Sequence, residues 1–429
     1  MRELPSGWAW TTLGEVAEIG PSLDRTSIDP ETPVSFVPMA AVEAGNGVLD
    51  PSNVRTWREV FKGYVPFAEG DVLFARITPC MENGKVAIAL GLSNGVGAGS
   101  TEFHVVRARQ AVDPKFLLHY LLQERVRRDA RAEMQGAAGQ MRVPGSFLSA
   151  RLLALPPSAE QSRIVASVER QLSHLDAALA SLTLAEAKLA AASRSLLQRT
   201  CEPSGSDTRE LVIADVAECL DSRRVPVNAK EREKRVGAVP YYGANGRVGW
   251  IDNALFNEPL VLVVEDETFV ARTKPFAYKV DGPSWVNNHV HILRPNTSVS
   301  LDYLHYALMY YPFTPMTTGS TGRRKLTQKA LMAAPVYIPS PNEQHRVVES
   351  FDRWFSIAEQ LSKSIDAAKQ RAARLRQSIL QKAFEGKLVP QDPNDEPASI
   401  LLERIRANPP AGRRKAPLSG RAKLLPSRI

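Results

Sequence analysis

The chain has 429 residues, 44% of them hydrophobic, which is too long for one ordinary core and suits two or three. No run of about 18 apolar residues offers a membrane span, and Cys80, Cys201 and Cys219 form no CxxC pair, so a disulfide scaffold and a zinc site are both disfavoured. The net charge of +8 does not by itself argue for nucleic acid: eight Arg and Lys and no acid follow Glu403, so the first 403 residues are close to neutral.

The N-terminal MRELPSGWAW lacks the basic start and apolar run of a signal peptide, which makes a cytoplasmic protein the expectation. Residues 1–155 are then rich in short alternating or apolar runs, such as DVLFARI at 71–77 and KVAIAL at 85–90, bounded by Gly, Pro and Asn. These predict strands of a small α+β domain. Within it ARITPCMENGK offers Arg76, Thr78, Asn83 and Lys85, and the turn GAAGQMRVP offers Gln140 and Arg142. The glycine-rich GVGAGS at 95–100 leads into strand-like EFHVV with no helix to receive a ligand, so it is not read as a cofactor loop.

After Pro156-Pro157 a long helix is predicted over residues 156–201. Val168, Leu175, Leu182, Leu189 and Leu196 recur every seven residues, with Ala178, Ala185 and Ala192 between them. So sustained a heptad seam predicts a coiled coil. A short linker, 202–208, precedes a second domain at 209–338.

The second half repeats the first. Glu160, Gln161 and Arg163 recur as Glu343, Gln344 and Arg346, an offset of 183 that holds without a gap over about 40 residues. Upstream, EFHVVR before Arg107 resembles HVHILR before Arg294, now offset by 187. LVLVV and HVHIL read as strands, and the alternation of His289 and His291 is that of a strand rather than of a metal pair. The recognition candidates here are Tyr241, Tyr242, Asn245 and Arg247 in YYGANGRVGW, then Arg272 and Lys274, then Asn287 and Asn288. The basic turn GSTGRRKL at 319–326 adds Ser320, Thr321, Arg323, Arg324 and Lys325. Arginine in such a turn suits bidentate contact with guanine, and the change from GQMR to GRRK suits two domains reading different bases. A solvated turn or packed hairpin is the plain alternative for each.

A second long helix, 339–390, carries Phe351, Ala358, Ile365, Ala372 and Ile379 in one row and Trp354, Leu361, Ala368 and Leu375 in the other. Because the EQxR segments open both helices at equivalent positions, Glu160, Gln161, Glu343 and Gln344 are candidates for seating two copies of one partner, with helix capping as the alternative. The remainder, 391–429, is a C-terminal segment and basic tail. Asn408-Pro409-Pro410 is followed by Ala411, not by the aromatic residue that an amino-methyltransferase needs, and no P-loop or Ser/His/Asp grouping is present.

With the repeat, the PxxEQ openings and the run LQKAFEGKLVPQDPNDEPASILLERI at 380–405, the chain resembles the specificity subunit of type I restriction–modification systems. LFARITPCMENGKVA and VPYYGANGRVGWID share that resemblance. It implies an α+β protein of two similar target-recognition domains on two long helices, paired as an antiparallel coiled coil with pseudo-two-fold symmetry. Each domain would read one half of an asymmetric, interrupted site on double-stranded DNA. Two methyltransferase subunits and the restriction (motor) subunits would be the partners. S-adenosylmethionine, ATP and magnesium would belong to them, and this chain would hold no cofactor, metal or catalytic residue. The alternatives are a methyltransferase or nuclease with its own site, a coiled-coil adaptor, or the specificity subunit of a related non-type-I system.

Overall fold

The computed structural model describes residues 3–137, 140–202, 207–267, 269–270, 272–319 and 324–408. The chain divides into two compact units, residues 1–179 with 370–429, and residues 180–369. Each unit takes one of the two repeated domains and one stretch of each long helix.

The first domain opens on β1 (Ala9–Thr12), β2 (Ala17–Ile19), β3 (Pro33–Val37), β4 (Val54–Thr56) and β5 (Val65–Ala68). It continues with β6 (Val72–Ala75), β7 (Val86–Ile88), β8 (Val96–Gly99), β9 (Phe103–Ala108) and β10 (Leu152–Leu155). One sheet is antiparallel, in the order β2-β9-β6-β7. The other, β4-β3-β8-β5, has a parallel pair at its centre, β3 with β8. Strand β6 is buried on both faces: Val72 and Phe74 join one apolar cluster, Leu73 and Ala75 another. That is why it reads as an unbroken apolar run. GVGAGS is mostly strand β8. A Cβ on Gly97 would lie 2.2 Å from the Phe67 ring, so glycine there makes room for an aromatic ring, not for a phosphate.

The second domain repeats the strand order of both four-stranded sheets and adds one further short antiparallel pair. Its strands are β11 (Arg209–Val212), β12 (Ala217–Cys219), β13 (Val239–Gly243), β14 (Gly246–Ile251), β15 (Phe256–Asn257) and β16 (Leu260–Val264). Then come β17 (Asp266–Glu267), β18 (Ala277–Val280), β19 (Pro283–Val286), β20 (Val290–Pro295), β21 (Arg324–Lys325) and β22 (Pro335–Ile338). The antiparallel sheet is β12-β20-β16-β18 and the mixed sheet β14-β13-β19-β15, again with a central parallel pair. In each domain the first and last strands form a two-stranded ribbon, β1 with β10 and β11 with β22. An ion pair is duplicated as well: Arg107 with Asp71, and Arg294 with Glu258.

Among the helices are α1 (Pro114–Leu121), α2 (Ser158–Gln198), α3 (Leu301–Met309), α4 (Pro341–Phe384) and α5 (Ala398–Ala407). The long helices α2 and α4 pair antiparallel. Asp176 meets Arg376, Glu186 meets Lys369 and Ser193 meets Trp354, so partner numbers fall as α2 numbers rise. The seam is half as expected. The rows Val168-Leu175-Leu182-Leu189-Leu196 and Phe351-Ala358-Ile365-Ala372-Ile379 are buried or half-buried. The second row, however, is not Ala178, Ala185 and Ala192, which are exposed, nor Leu361 and Leu375, which are 48% and 52% exposed. It is Leu172, Leu179, Glu186 and Ser193 on α2, and Phe355, Ser362, Lys369 and Arg376 on α4. Counting apolar residues alone hid this row, because Glu186, Lys369 and Arg376 cover the seam with their stems while ion-pairing at their tips.

Candidate nucleic-acid interface

In the second domain four loops converge. The β13–β14 turn is tied to the segment before β18 by Arg272, whose Nη2 donates to Asn245 Oδ1 at 2.9 Å. The β19–β20 turn joins them through Asn287, whose N–H donates to the Tyr242 carbonyl at 3.0 Å. Pairing of β17 with β21 adds the basic turn, and His289 Nδ1 lies 2.7 Å from Asp266. The sequence candidates Asn245, Arg247, Arg272, Lys274, Asn287, Asn288, Arg324 and Lys325 therefore belong to neighbouring loops.

Their environments differ. Lys274 and Asn288 are exposed, and Arg247 is exposed with its guanidinium 4.4 Å from the Trp250 ring centre. Tyr241 is buried, its hydroxyl donating to the Val227 carbonyl, and Tyr242 is half-buried beside Tyr278. These two are packed hairpin residues. Arg324 donates to both the hydroxyl and the carbonyl of Thr317, and Lys325 Nζ is 2.8 Å from Glu265. Ser320, Thr321 and Arg323 lie outside the described residues, as does the basic tail beyond Asn408.

In the first domain Gln140 and Asn83 are exposed. Lys85 donates to the Met39 carbonyl, and the Thr78 hydroxyl is buried without a hydrogen-bond partner. Arg142 binds Glu102 through Nε and Nη2, at 3.0 and 2.8 Å, and Arg76 Nε reaches the same carboxylate at 3.3 Å. The Arg142 guanidinium holds the Glu102 carboxyl below its usual range. Both arginines are thus bound within the fold, and sequence reading missed Glu102 because a single acid between two strands carries no motif.

Beneath each basic turn sits a histidine. His104 Nε2 is 2.8 Å from the Val143 carbonyl, and His291 Nε2 is 2.8 Å from the Leu326 carbonyl. His291 Nδ1 also faces Asp221, so the buried His291 is a strand residue held at both nitrogens. Cys219, Asp221 and His291 are the described group with ligand atoms close enough together to hold a metal, but Arg224 lies 3.2 Å from Asp221 and sets a positive charge against a cation there.

Three of the four residues expected to seat a partner are inside. Glu160 accepts from Trp8 Nε1 at 3.0 Å and from Gln391 at 3.2 Å, and burial pushes its carboxyl up. Gln161 donates to the Pro156 carbonyl and accepts from the Asp113 N–H, the N-cap of α1. Gln344 repeats this with the Pro339 carbonyl and the N–H of Ser300, the N-cap of α3. The glutamine of the EQ pair therefore clamps each long helix to its own domain. Glu343 alone of the four keeps a carboxylate that is 40% exposed, beside Arg346.

Residues 205–367 match the family model described as the type I restriction modification DNA specificity domain. The chain is 42% identical over 164 residues to the type I restriction enzyme EcoAI specificity subunit of Escherichia coli, and 40% identical over 169 residues to the EcoEI specificity subunit of the same organism. These matches take in 38% and 39% of this chain and 28% of each relative, so the chain aligns with under a third of their length. A solved chain, from work on complex assembly and conformational transition of the type I R-M system, superposes with a TM-score of 0.75 over 90% of this chain and 100% of that one, at 21% identity. The HsdS subunit from Thermoanaerobacter tengcongensis superposes with a TM-score of 0.58 over 90% and 98%, also at 21%. Those two likenesses establish the fold.

Proposed function

We propose that this chain, whose residues 205–367 match the type I restriction modification DNA specificity domain, is a type I restriction–modification specificity subunit and the non-catalytic DNA reader of such a complex. Its two domains recognise the two halves of an interrupted, asymmetric site. The observation that carries this is the repeat itself: two domains with the same strand order bear different side chains on equivalent turns, Gln140 and Arg142 in one, Arg324 and Lys325 in the other. Like scaffolds with altered turn chemistry suit two related readers with different targets. Most of their contacts would go to phosphates and fix position, and a few would read bases.

The partners in this reading are double-stranded DNA, two methyltransferase subunits and the restriction subunits. S-adenosylmethionine, ATP and magnesium act in those subunits. Glu343, with its exposed carboxylate at the start of α4, is the residue of the two EQ pairs that remains available to a partner. No described helix is long and apolar enough to cross a membrane. The test is to assay the purified chain with S-adenosylmethionine and DNA, alone and with its cognate methyltransferase. Methyl transfer only in the mixture supports the reading, and transfer by the chain alone refutes it.

A further inference from the structure

The base of the basic turn is built the same way in both domains. In the first, the N–H and carbonyl of Arg142 pair with those of Gln135 at 2.8 and 2.9 Å, and in the second those of Lys325 pair with Thr318 at 2.8 and 2.9 Å. Each turn is then stitched to the antiparallel sheet. Val143 N–H donates to the Arg76 carbonyl, and the Arg76 N–H donates to the Glu102 carbonyl. Leu326 N–H donates to the Glu265 carbonyl, and the Glu265 N–H donates to the His289 carbonyl. Backbone bonding therefore makes Arg76 equivalent to Glu265, Glu102 to His289, and Arg142 to Lys325.

On this common frame the charges are permuted. The cation that closes the turn, Arg142 or Lys325, meets a carboxylate in both domains. In the first domain the carboxylate stands at the 102/289 position and Arg76 occupies the other; in the second it stands at the 76/265 position and His289 occupies the other. Glu265 is 8% exposed and also binds Arg224, so its charge is held from two sides. Two independent solutions to the same requirement indicate that the requirement is real: the closing cation must be held in one place.

We propose that Glu102 and Glu265 are positioning residues for DNA reading, each fixing the closing cation of its own turn and so acting on one half-site only. This rests on the reading of the chain as a two-domain DNA reader. Without the carboxylate the long cationic side chain samples several rotamers, and the ordering it then needs on contact with DNA weakens discrimination.

The test uses the full chain expressed with its cognate methyltransferase. Sequencing of methylated DNA first defines the target, and discrimination is then read as the ratio of methylation at the target to that at single-base variants of each half. Glu102→Gln is expected to lower discrimination roughly ten-fold in one half and to leave the other unchanged. Glu265→Gln should do the reverse. Moving the carboxylate to its position in the second domain, with Arg76→Glu and Glu102→Gln together, should restore discrimination to within about three-fold of the parent. Glu102→Asp, which keeps the charge, should also stay within about three-fold and provides a second measurement if the double variant does not fold. No effect of Glu102→Gln, an equal loss in both halves, or an Asp variant as poor as the Gln variant overturns the inference. A parent with no two-part target overturns instead the reading on which it rests.

Discussion

Replacing Gln161 by alanine removes two hydrogen bonds that join α2 to its own domain, one to the Pro156 carbonyl and one from the Asp113 N–H. Gln161 is fully buried, so water does not replace the lost amide. At about 1 kcal/mol for each bond lost, and somewhat more for each partner left unsatisfied, the cost is about 2–4 kcal/mol. For a unit of this size that corresponds to a fall in melting temperature of roughly 5–10 °C. Gln344→Ala should cost at least as much in the other unit, since it makes the same two bonds, to Pro339 and from Ser300, and a third to the Ser298 carbonyl. Urea unfolding followed by circular dichroism measures both. A change under about 0.5 kcal/mol for either variant would refute the clamp. If methyltransferase co-purification were lost with stability intact, the glutamines would be partner contacts after all.

Acidification should destabilise the first unit through His119, whose ring is 5% exposed and whose nitrogens have no partner, so that burial pushes its pKa down to about 4. The unfolded chain takes up that proton near pH 6.5, so stability falls as pH drops from 6.5 to 4, by up to about 3 kcal/mol; His119→Leu should flatten the slope of unfolding free energy against pH. His305 on α3, also pushed down to about 4 by burial, predicts the same trend for the second unit. On the long helices, Leu361→Ser should change stability by less than about 0.5 kcal/mol, because Leu361 faces solvent. Ala372→Asp, which places a carboxylate in the seam, should cost more than about 2 kcal/mol; similar costs for the two would mean that the seam has been misassigned.

The architecture was largely legible because the sequence is written twice. The matched spacing of Glu160-Gln161 and Glu343-Gln344 exposed the repeat, and the heptads exposed the paired helices. The second seam row was misread since Glu186, Lys369 and Arg376 look like surface residues until their cross-helix partners are known. The sequence marks the candidate loops as regions and does not say which of their side chains are free. Composition marks Arg76, Arg142 and Lys325 as available cations, but Glu102 and Glu265 reach them from connections between strands, 26 to 60 residues away in sequence. Tyr241 likewise looked like a loop aromatic, and only the parallel pairing of β13 with β19 shows why it is interior. The EQ pairs are recognisable as repeated, with partner seating and helix capping both open, because a glutamine that clamps an N-cap across 44 to 48 residues leaves no local pattern.

That one chain reads two different half-sites is open to a direct experiment: methylome sequencing of cells that express it with its cognate methyltransferase. Two unlike domains on one scaffold should give methylation within a two-part target whose halves differ in sequence and flank a gap of unread bases. Methylation at a single uninterrupted site, or at two identical halves, would be incompatible with that reading.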